Sequence, residues 1–295
     1  MGLRQRDLAQ ALGLAQTTIA NYEQNTRFPD EEILHRIADY FRISLDYLLG
    51  RTEGETDSDE EPEARSRRDD DELYGGGLSS LARRYMDTLL HGSREQAGRL
   101  VFGAINSGIA VKEIYLGVLE PALREVGRLW SQGRVDVAQE HYFSGSTQVI
   151  MSQLYPFFPP VEKRGLTAVA AAARGELHAI GVRIVSDFLE MDGWDTYYLG
   201  TNIDNRDVAR SLRAHRASLL VVSATMDENV DSAGELVRIV RADADIRHVR
   251  ILVGGGAFER RPDLWRGIGA DGTAGDAQGA VDEAIRLLRA RSRRA

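Results

Sequence analysis

The C-terminal half of the chain alternates between short apolar runs and amphipathic segments, and this alternation restricts the folds that it can adopt. Five runs have the pattern of strands: Leu166–Ala173, Thr196–Leu199, Leu219–Ala224, Val249–Val253 and Ala270–Thr273. Helical patterns follow them at Ala179–Met191, Arg206–His215, Asn229–Ala242 and Ala277–Ala290. Strands that alternate with helices form a parallel sheet with helices on both faces. The sequence therefore predicts a doubly wound α/β domain over residues 161–295.

A histidine follows the first predicted strand, in the stretch Gly175-Glu176-Leu177-His178-Ala179-Ile180-Gly181. Open α/β sheets bind their ligands at the carboxyl ends of the strands, which is where this loop is expected to lie. Glu176 stands two positions before His178, and Gly181 stands three positions after it. An acidic partner that holds one ring nitrogen usually supports a metal-ligating histidine. The spacing therefore indicates a metal site, and the alternative is a polar residue on a surface loop.

The stretch resembles the acidic-x-His-x-x-Gly motif of cobalamin-binding domains, with Glu176 where aspartate is commoner. The resemblance implies that His178 binds cobalt from below. It also implies that Glu176 holds the other ring nitrogen and fixes the tautomer. Gly181 would then let the nucleotide tail of the corrinoid pass close to the backbone.

Two later strand ends resemble the same family. The third predicted strand ends in Val222-Ser223-Ala224-Thr225, where the family has Ser-x-Leu or Ser-x-Thr. The fourth runs into Gly254-Gly255-Gly256, where the family has a pair of glycines. By this resemblance Ser223 hydrogen-bonds the buried base of the tail, with Thr225 close by, and the glycines leave room for it.

Composition excludes several kinds of site. The chain contains no cysteine, which excludes disulfides, thiolate metal sites and chromophores attached through a thioether. Its formal net charge of -8 argues against a surface that binds polyanions in general, although it is compatible with a local DNA-binding face. No apolar run reaches the length of a membrane span. We therefore expect a cytoplasmic protein that does not contact membranes.

The N-terminal segment, 1–50, has apolar residues at helical spacings and is predicted to form an all-α domain of short helices. Gly13 permits a tight turn between two of these helices. Polar residues then remain exposed on the second helix: Gln16, Thr17, Thr18 and Asn21. Side chains of these types read base edges or bind phosphates. The pattern therefore indicates a DNA-binding face, and the alternative is an ordinary helical hairpin.

This segment resembles the Xre or Cro/repressor type of helix-turn-helix domain, as do Pro29 and Leu45-Asp46-Tyr47-Leu48-Leu49-Gly50 after it. By that resemblance Gln5 and residues 16–21 contact operator DNA. The family normally has another helix before the segment that begins here at Gly2. We therefore expect either that translation starts upstream of Met1 or that the domain is incomplete and weakly stable.

Two further segments separate this domain from the predicted sheet. Residues 51–76 are rich in Asp and Glu and poor in apolar side chains, which predicts a solvated, disordered linker. Residues 77–160 are apolar at helical periods, which predicts a four-helix bundle. Its helices are expected at Leu78–Leu90, Arg94–Asn106, Val111–Gln132 and Val135–Tyr155.

Within the predicted bundle, Trp130 is followed after nine residues by the pair Glu140-His141. This spacing resembles the cap of cobalamin-dependent, light-responsive transcriptional repressors, in which a four-helix bundle covers the upper face of cobalamin. By this resemblance, which extends from Leu78 to Ala290, Trp130 packs against an adenosyl group while Glu140 and His141 bound its pocket. The implied cofactor is adenosylcobalamin.

The chain departs from those repressors in two respects. In their best-known members a histidine follows the tryptophan and binds cobalt after light removes the adenosyl group, whereas this chain has Ser131. Serine is a poor cobalt ligand, so we expect a less durable lit state, or one that uses water or another residue such as His141. The repressors also carry a winged MerR-type domain, so their operator geometry does not apply here.

The sequence therefore predicts a cobalamin-binding transcriptional regulator and not an enzyme, with light removing the upper cobalt ligand. We expect that loss to change self-association into dimers or tetramers, and with it the binding of operator DNA. A corrinoid methyl carrier shares the bundle and the histidine motif, but the helix-turn-helix argues against it. Two sensors remain as alternatives: one reports cobalamin supply, and the other holds a noncovalent bilin in the same cleft.

Overall fold

The computed structural model describes residues 5–23, 29, 31–41 and 77–292. The chain forms two compact units, which meet in sequence between Asp69 and Asp70. The predicted linker, 51–76, the motif at 45–50 and Gly2 lie outside the described residues. None of the described helices is long and apolar enough to cross a membrane.

The first unit contains three described helices: α1 (Gln5–Ala11), α2 (Gln16–Glu23) and α3 (Glu31–Phe41). Gly13 joins α1 to α2 with a φ of 59°, a left-handed conformation that glycine adopts at low cost. Ala9, Leu12 and Ile19 are buried, and Leu14 packs against them. The tight turn at Gly13 between two short helices is the one that the sequence predicts.

The second unit begins with a helical bundle. Its α-helices are α4 (Gly77–Leu90), α5 (Arg94–Asn106), α6 (Val111–Ile114), α7 (Glu120–Ser131) and α8 (Val137–Leu154). The chain stays helical between α6 and α7 but winds as a π-helix over Tyr115–Leu119. The predicted helix over Val111–Gln132 is therefore present, but its middle part is π-helical. Leu78 of α4 packs against the bare backbone in this wider turn, because a Cβ on Gly117 would lie 2.7 Å from it.

A five-stranded parallel sheet follows, as predicted. Its strands are β1 (Thr167–Ala172), β2 (Asp195–Gly200), β3 (Leu219–Ser223), β4 (Arg250–Gly254) and β5 (Gly272–Thr273). Its helices are α9 (Ile180–Met191), α10 (Asn205–Ala214), α11 (Val230–Ala242), α12 (Gly256–Arg260), α13 (Leu264–Gly267) and α14 (Ala277–Ser292). The strand order is β2-β1-β3-β4-β5. From β1 the chain runs to β2 at one edge of the sheet, whereas from β3 it runs through β4 to β5 at the other edge. The connections on either side of β1 and β3 therefore diverge, and a crevice opens between these two strands at their carboxyl ends.

Alternate residues of each strand point to opposite faces of the sheet. Ala168 and Ala170 of β1 belong to a core that also contains the bundle, α9 and α14. Val169 and Ala171 belong to a second core with α10 and α11. The bundle and one face of the sheet therefore share a continuous apolar core, which holds the bundle beside the crevice.

Candidate functional site

A cavity of about 1150 Å³ lies between the bundle and the carboxyl ends of β1, β3 and β4. It exceeds the roughly 300–1000 Å³ of common small-molecule sites. Nine of the ten predicted cofactor-binding residues line it: Trp130, Glu140, His141, His178, Gly181, Ser223, Thr225, Gly254 and Gly255. The tenth, Glu176, is fully buried and hydrogen-bonds His178. Residues predicted from separate motifs thus meet around one space.

His178 lies on the loop between β1 and α9, and 47% of its side chain is exposed. Its Nδ1 hydrogen-bonds Oε1 of Glu176, so Nε2 is the ring nitrogen that remains for a ligand. The hydrogen bond with Glu176 raises the pKa of His178 above its ordinary value, although burial acts in the opposite direction. An imidazole held in this way has a fixed orientation and tautomer, as metal-binding histidines do.

The carboxylate of Glu176 is saturated with hydrogen bonds. Its Oε1 also accepts from the backbone N of His178 at 3.1 Å. Its Oε2 accepts from the backbone N of Thr225 at 2.7 Å and of Met226 at 3.0 Å, and from Nδ2 of Asn229 at 3.1 Å. Burial alone would raise the pKa of Glu176, but these hydrogen bonds outweigh it and hold the pKa below its ordinary value. The charged carboxylate therefore ties the histidine loop to the loop after β3.

Bare backbone forms part of the cavity wall beside Ser223. Gly255 has a φ of 94°, which favours glycine. A Cβ at this position would lie 2.6 Å from the carbonyl oxygen of Ala224 and 2.9 Å from Oγ of Ser223. A Cβ on Gly181 would approach the same hydroxyl to 4.0 Å. The strand ends thus keep a narrow space open around one hydroxyl, which fits the predicted nucleotide tail.

The bundle side of the cavity carries the predicted indole and Glu-His pair. Trp130 lies at the end of α7 and is 42% exposed. Glu140 and His141 lie in the first turns of α8, with Oε2 of Glu140 2.9 Å from Nδ1 of His141. Ser131 also lines the cavity, but its hydroxyl donates to the carbonyl oxygen of Arg128 at 2.8 Å. Ser131 is thus engaged within its own helix.

Three family models match the chain. A helix-turn-helix model covers residues 1–48, and two models described as B12 binding domains cover 81–155 and 166–285. The chain joins a helix-turn-helix domain to a two-part B12-binding module. The cavity lies between the two parts of that module.

The known proteins that are similar to the B12-binding module include corrinoid proteins. Monomethylamine corrinoid protein 1 of Methanosarcina acetivorans is 26% identical over 193 residues, which are 63% of this chain and 87% of that protein. Dimethylamine corrinoid protein 3 of the same organism is 25% identical over 179 residues, or 60% of this chain and 83% of the relative. The solved structure of Methanosarcina barkeri monomethylamine corrinoid protein superposes with a TM-score of 0.65 at 22% identity. It covers 72% of this chain and 100% of that one, which shows a shared fold.

The imidazole of His178 and the cavity beside it fit a corrinoid. Imidazole nitrogen is a good ligand for late first-row metals such as cobalt. Among the described residues, no cluster of three or more His, Asp or Glu side chains could hold a bare metal ion. A histidine that Glu176 orients beside a large cavity suits a metal that arrives with most of its ligands, as corrinoid cobalt does.

One wall of the cavity carries a cluster of charged side chains, Glu120, Arg124 and Glu259, that the sequence motifs did not predict. Arg124 of α7 donates from one guanidinium nitrogen to both carboxylate oxygens of Glu259, at 3.1 and 2.9 Å. Burial raises the pKa of nearby Glu120 to about 7, with Asp276 and Glu259 adding to the rise and Arg124 opposing it. Glu259 and Asp276 are distant in sequence from Glu120 and Arg124 of α7, so the sequence holds no local signal for this cluster.

We expect Glu120→Gln to stabilise the ligand-free protein at neutral pH and above. The pKa of Glu120 rises from an ordinary 4.5 to about 7 on folding, so the folded state binds more protons between these values. The contribution of Glu120 to the free energy of unfolding therefore falls as pH rises through this window. Glutamine has no proton to lose, so the Tm advantage of the variant should grow between about pH 5 and 8.

Calorimetry of both proteins across this range measures the effect. Glu125→Gln is the matched control, because Glu125 lies on the same helix and pairs in solvent with Arg128. A Tm difference for Glu120→Gln that stays constant with pH, or that shrinks as pH rises, would contradict the prediction.

Proposed function

We propose that this protein is a cobalamin-binding transcriptional regulator that responds to light. The observation that carries the proposal is the helix-turn-helix domain in the same chain as a B12-binding module. A regulator needs a sensing module and a DNA-binding module, whereas a carrier of methyl groups has no use for the second. On this account the protein is not itself an enzyme.

On the lower side of the cavity, His178 would ligate cobalt through Nε2 while Glu176 holds Nδ1. Gly181, Gly254 and Gly255 would leave room for the nucleotide tail. Ser223 would hydrogen-bond the tail, with Thr225 beside it. Support comes from the lining of the cavity and from the hydrogen bonds between Glu176 and the loop after β3.

On the upper side, Trp130, Glu140 and His141 would surround the upper ligand. Adenosylcobalamin, when bound, supplies a cobalt–carbon bond that visible light breaks. The half-exposed indole of Trp130 would stack on the adenine, and such contacts are worth about 1 kcal/mol beyond the area that they bury. Without the adenosyl group, Trp130 loses this partner, and the preferred position of α7 changes.

Self-association would couple the change in the position of α7 to the binding of DNA. When protomers assemble into dimers or tetramers, a small change in the preferred conformation of each protomer adds up over the assembly. The balance between the assembled and dissociated states can then shift strongly. Gln16 and Thr17 are exposed on α2, where they can reach operator DNA, while Thr18 is half-buried. Gln5 begins α1 and Asn21 lies on α2. Paired domains would then contact half-sites about one helical turn apart, and footprinting on the protein's own promoter would reveal this spacing.

We expect light to change the oligomeric state of the adenosylcobalamin-loaded protein. Size-exclusion chromatography in the dark and after illumination measures it, with absorption spectra recorded in parallel. Trp130→Ala should reduce the difference between the two elution volumes, and Trp130→Phe, which keeps an aromatic ring, should retain more of it. A single elution volume for the wild type, despite a spectrum that changes with light, would contradict the proposal.

The second candidate is a corrinoid methyl carrier, which the similarity to methylamine corrinoid proteins favours. A carrier would bind DNA equally well in all cofactor states and would exchange methyl groups with a partner enzyme.

A sensor of cobalamin supply would change its DNA affinity on loading but not on illumination. A bilin sensor would bind biliverdin in preference to cobalamin, and spectroscopic titration with each pigment separates these cases.

A further inference from the structure

A group of contacts centred on a buried carboxylate anchors the bundle to α9. The hydroxyl of Tyr115 donates to Oδ2 of Asp187 at 2.8 Å, and that of Tyr155 donates to Oδ1 at 2.8 Å. Asp187 is 1% exposed and Tyr115 is fully buried, whereas Tyr155 is 41% exposed. The ring of Tyr115 also packs against Phe188, with centroids 5.8 Å apart. We call Tyr115, Tyr155 and Asp187 the buried tie.

Further contacts reinforce the buried tie from the same helix. Arg183 of α9 donates to the carbonyl oxygen of Gln148 at 3.1 Å and to Oγ of Ser152 at 2.8 Å. Both acceptors lie on α8. Breaking the tie would leave a buried carboxylate without its partners, which is costly. This side of the bundle is therefore expected to stay in place.

A second, exposed contact joins the bundle to the other end of the sheet. Arg124 of α7 pairs with Glu259 of α12 and donates to the carbonyl oxygen of Gly275, after β5, at 2.8 Å. The side chains of Arg124 and Glu259 are 54% and 38% exposed. We call this contact the exposed clamp. An ion pair in solvent contributes little and opens readily.

The topology places these two contacts on opposite sides of the cavity. Helix α9 connects β1 to β2, at one edge of the sheet, whereas Glu259 and Gly275 follow β4 and β5 at the other edge. The cavity opens at the ends of β1, β3 and β4, between them. Arg124, Glu259 and Gly275 line it, and the residues of the buried tie do not.

We propose that Arg124 is a gate residue that controls how fast a corrinoid enters and leaves the cavity. The exposed clamp opens and closes one wall, while the buried tie keeps the bundle attached at the other. Because both rates depend on the same opening, loss of the clamp speeds entry and release together and leaves the affinity nearly unchanged. This inference rests on the proposed binding of cobalamin, but not on a response to light or DNA.

The test measures the association and dissociation rates of adenosylcobalamin in the dark, with full-length protein and stopped-flow absorbance. Arg124→Ala should accelerate both rates about three- to fivefold, the range expected for an exposed ion pair. Arg128→Ala is the matched control, since Arg128 lies one turn further along α7 and pairs with Glu125 of the same helix. Its rates should equal those of the wild type. Added salt should accelerate the wild type and leave Arg124→Ala unchanged, because salt screens the clamp.

A charge swap, Arg124→Glu with Glu259→Arg, should bring both rates part of the way back toward those of the wild type, because it restores the ion pair but not the hydrogen bond to the carbonyl oxygen of Gly275. Rates for Arg124→Ala equal to those of Arg128→Ala would overturn the inference. Faster release with unchanged entry would overturn it too, because Arg124 would then only contact the bound corrinoid. A wild-type protein that binds no cobalamin would overturn the proposed function itself, an outcome distinct from these.

Discussion

His178→Ala is expected to lower the affinity for cobalamin by about a hundredfold or more, beyond the usual loss from a residue that only supports a metal ligand. His178 is the imidazole that Glu176 orients, through Nδ1, beside the cavity. Alanine has no atom that can coordinate cobalt. The change in the visible spectrum that accompanies coordination by protein imidazole should therefore disappear.

Spectroscopic titration with cobalamin measures both the affinity and the coordination. His91→Ala is a suitable control, because His91 is exposed after the end of α4 and is not part of the cavity wall. His141→Ala tests the opposite wall and should leave coordination by His178 intact. An unchanged spectrum and affinity in His178→Ala would show that another group holds the cobalt.

Glu176→Gln is expected to weaken cobalamin binding about ten- to a hundredfold. The carboxylate accepts hydrogen bonds at both oxygens from His178 and from the loop after β3. An amide has one accepting oxygen, so its NH2 group would face donors on one of these two sides. The buried groups on that side then lose their partner, and the orientation of His178 becomes less defined.

Glu176→Asp should also weaken binding, although aspartate is commoner at this position of the motif. Aspartate is one methylene shorter, so its carboxylate lies closer to the backbone of residue 176 and cannot reach both Nδ1 of His178 and the backbone N of Thr225 and Met226 unless the loops shift. Glu228→Gln is the control, since Glu228 is exposed in the same loop after β3. The same titration applies, and wild-type affinity in both Glu176 variants would exclude a supporting role for this residue.

The sequence predicted those parts of the fold and site that depend on local patterns. The alternation of short apolar runs with helical patterns identified the parallel sheet, and apolar residues at helical periods identified the bundle. The spacing of Glu176 and His178 identified the loop after β1, since partners two residues apart are visible in the sequence. Trp130 and Ser223 needed the resemblance to known families, because one tryptophan or serine carries no specific pattern.

The parts that the sequence missed join distant segments or concern the backbone alone. Asn229 and the amides after β3 reach Glu176 only because β1 and β3 are neighbours in the sheet. Asp187 of the buried tie looks like an ordinary acidic residue of an amphipathic helix. The π-helical turn at Tyr115–Leu119 spans five residues, too few to set a hydrophobic period of its own. None of these features has a signature at a fixed spacing.

The most direct test of the account is the affinity of full-length protein for its own promoter DNA in three states. These are the cofactor-free protein, the adenosylcobalamin form kept in the dark, and the same form after illumination. We expect the dark and illuminated forms to bind with different affinities, together with a change in elution volume. One affinity shared by all three states would contradict this expectation.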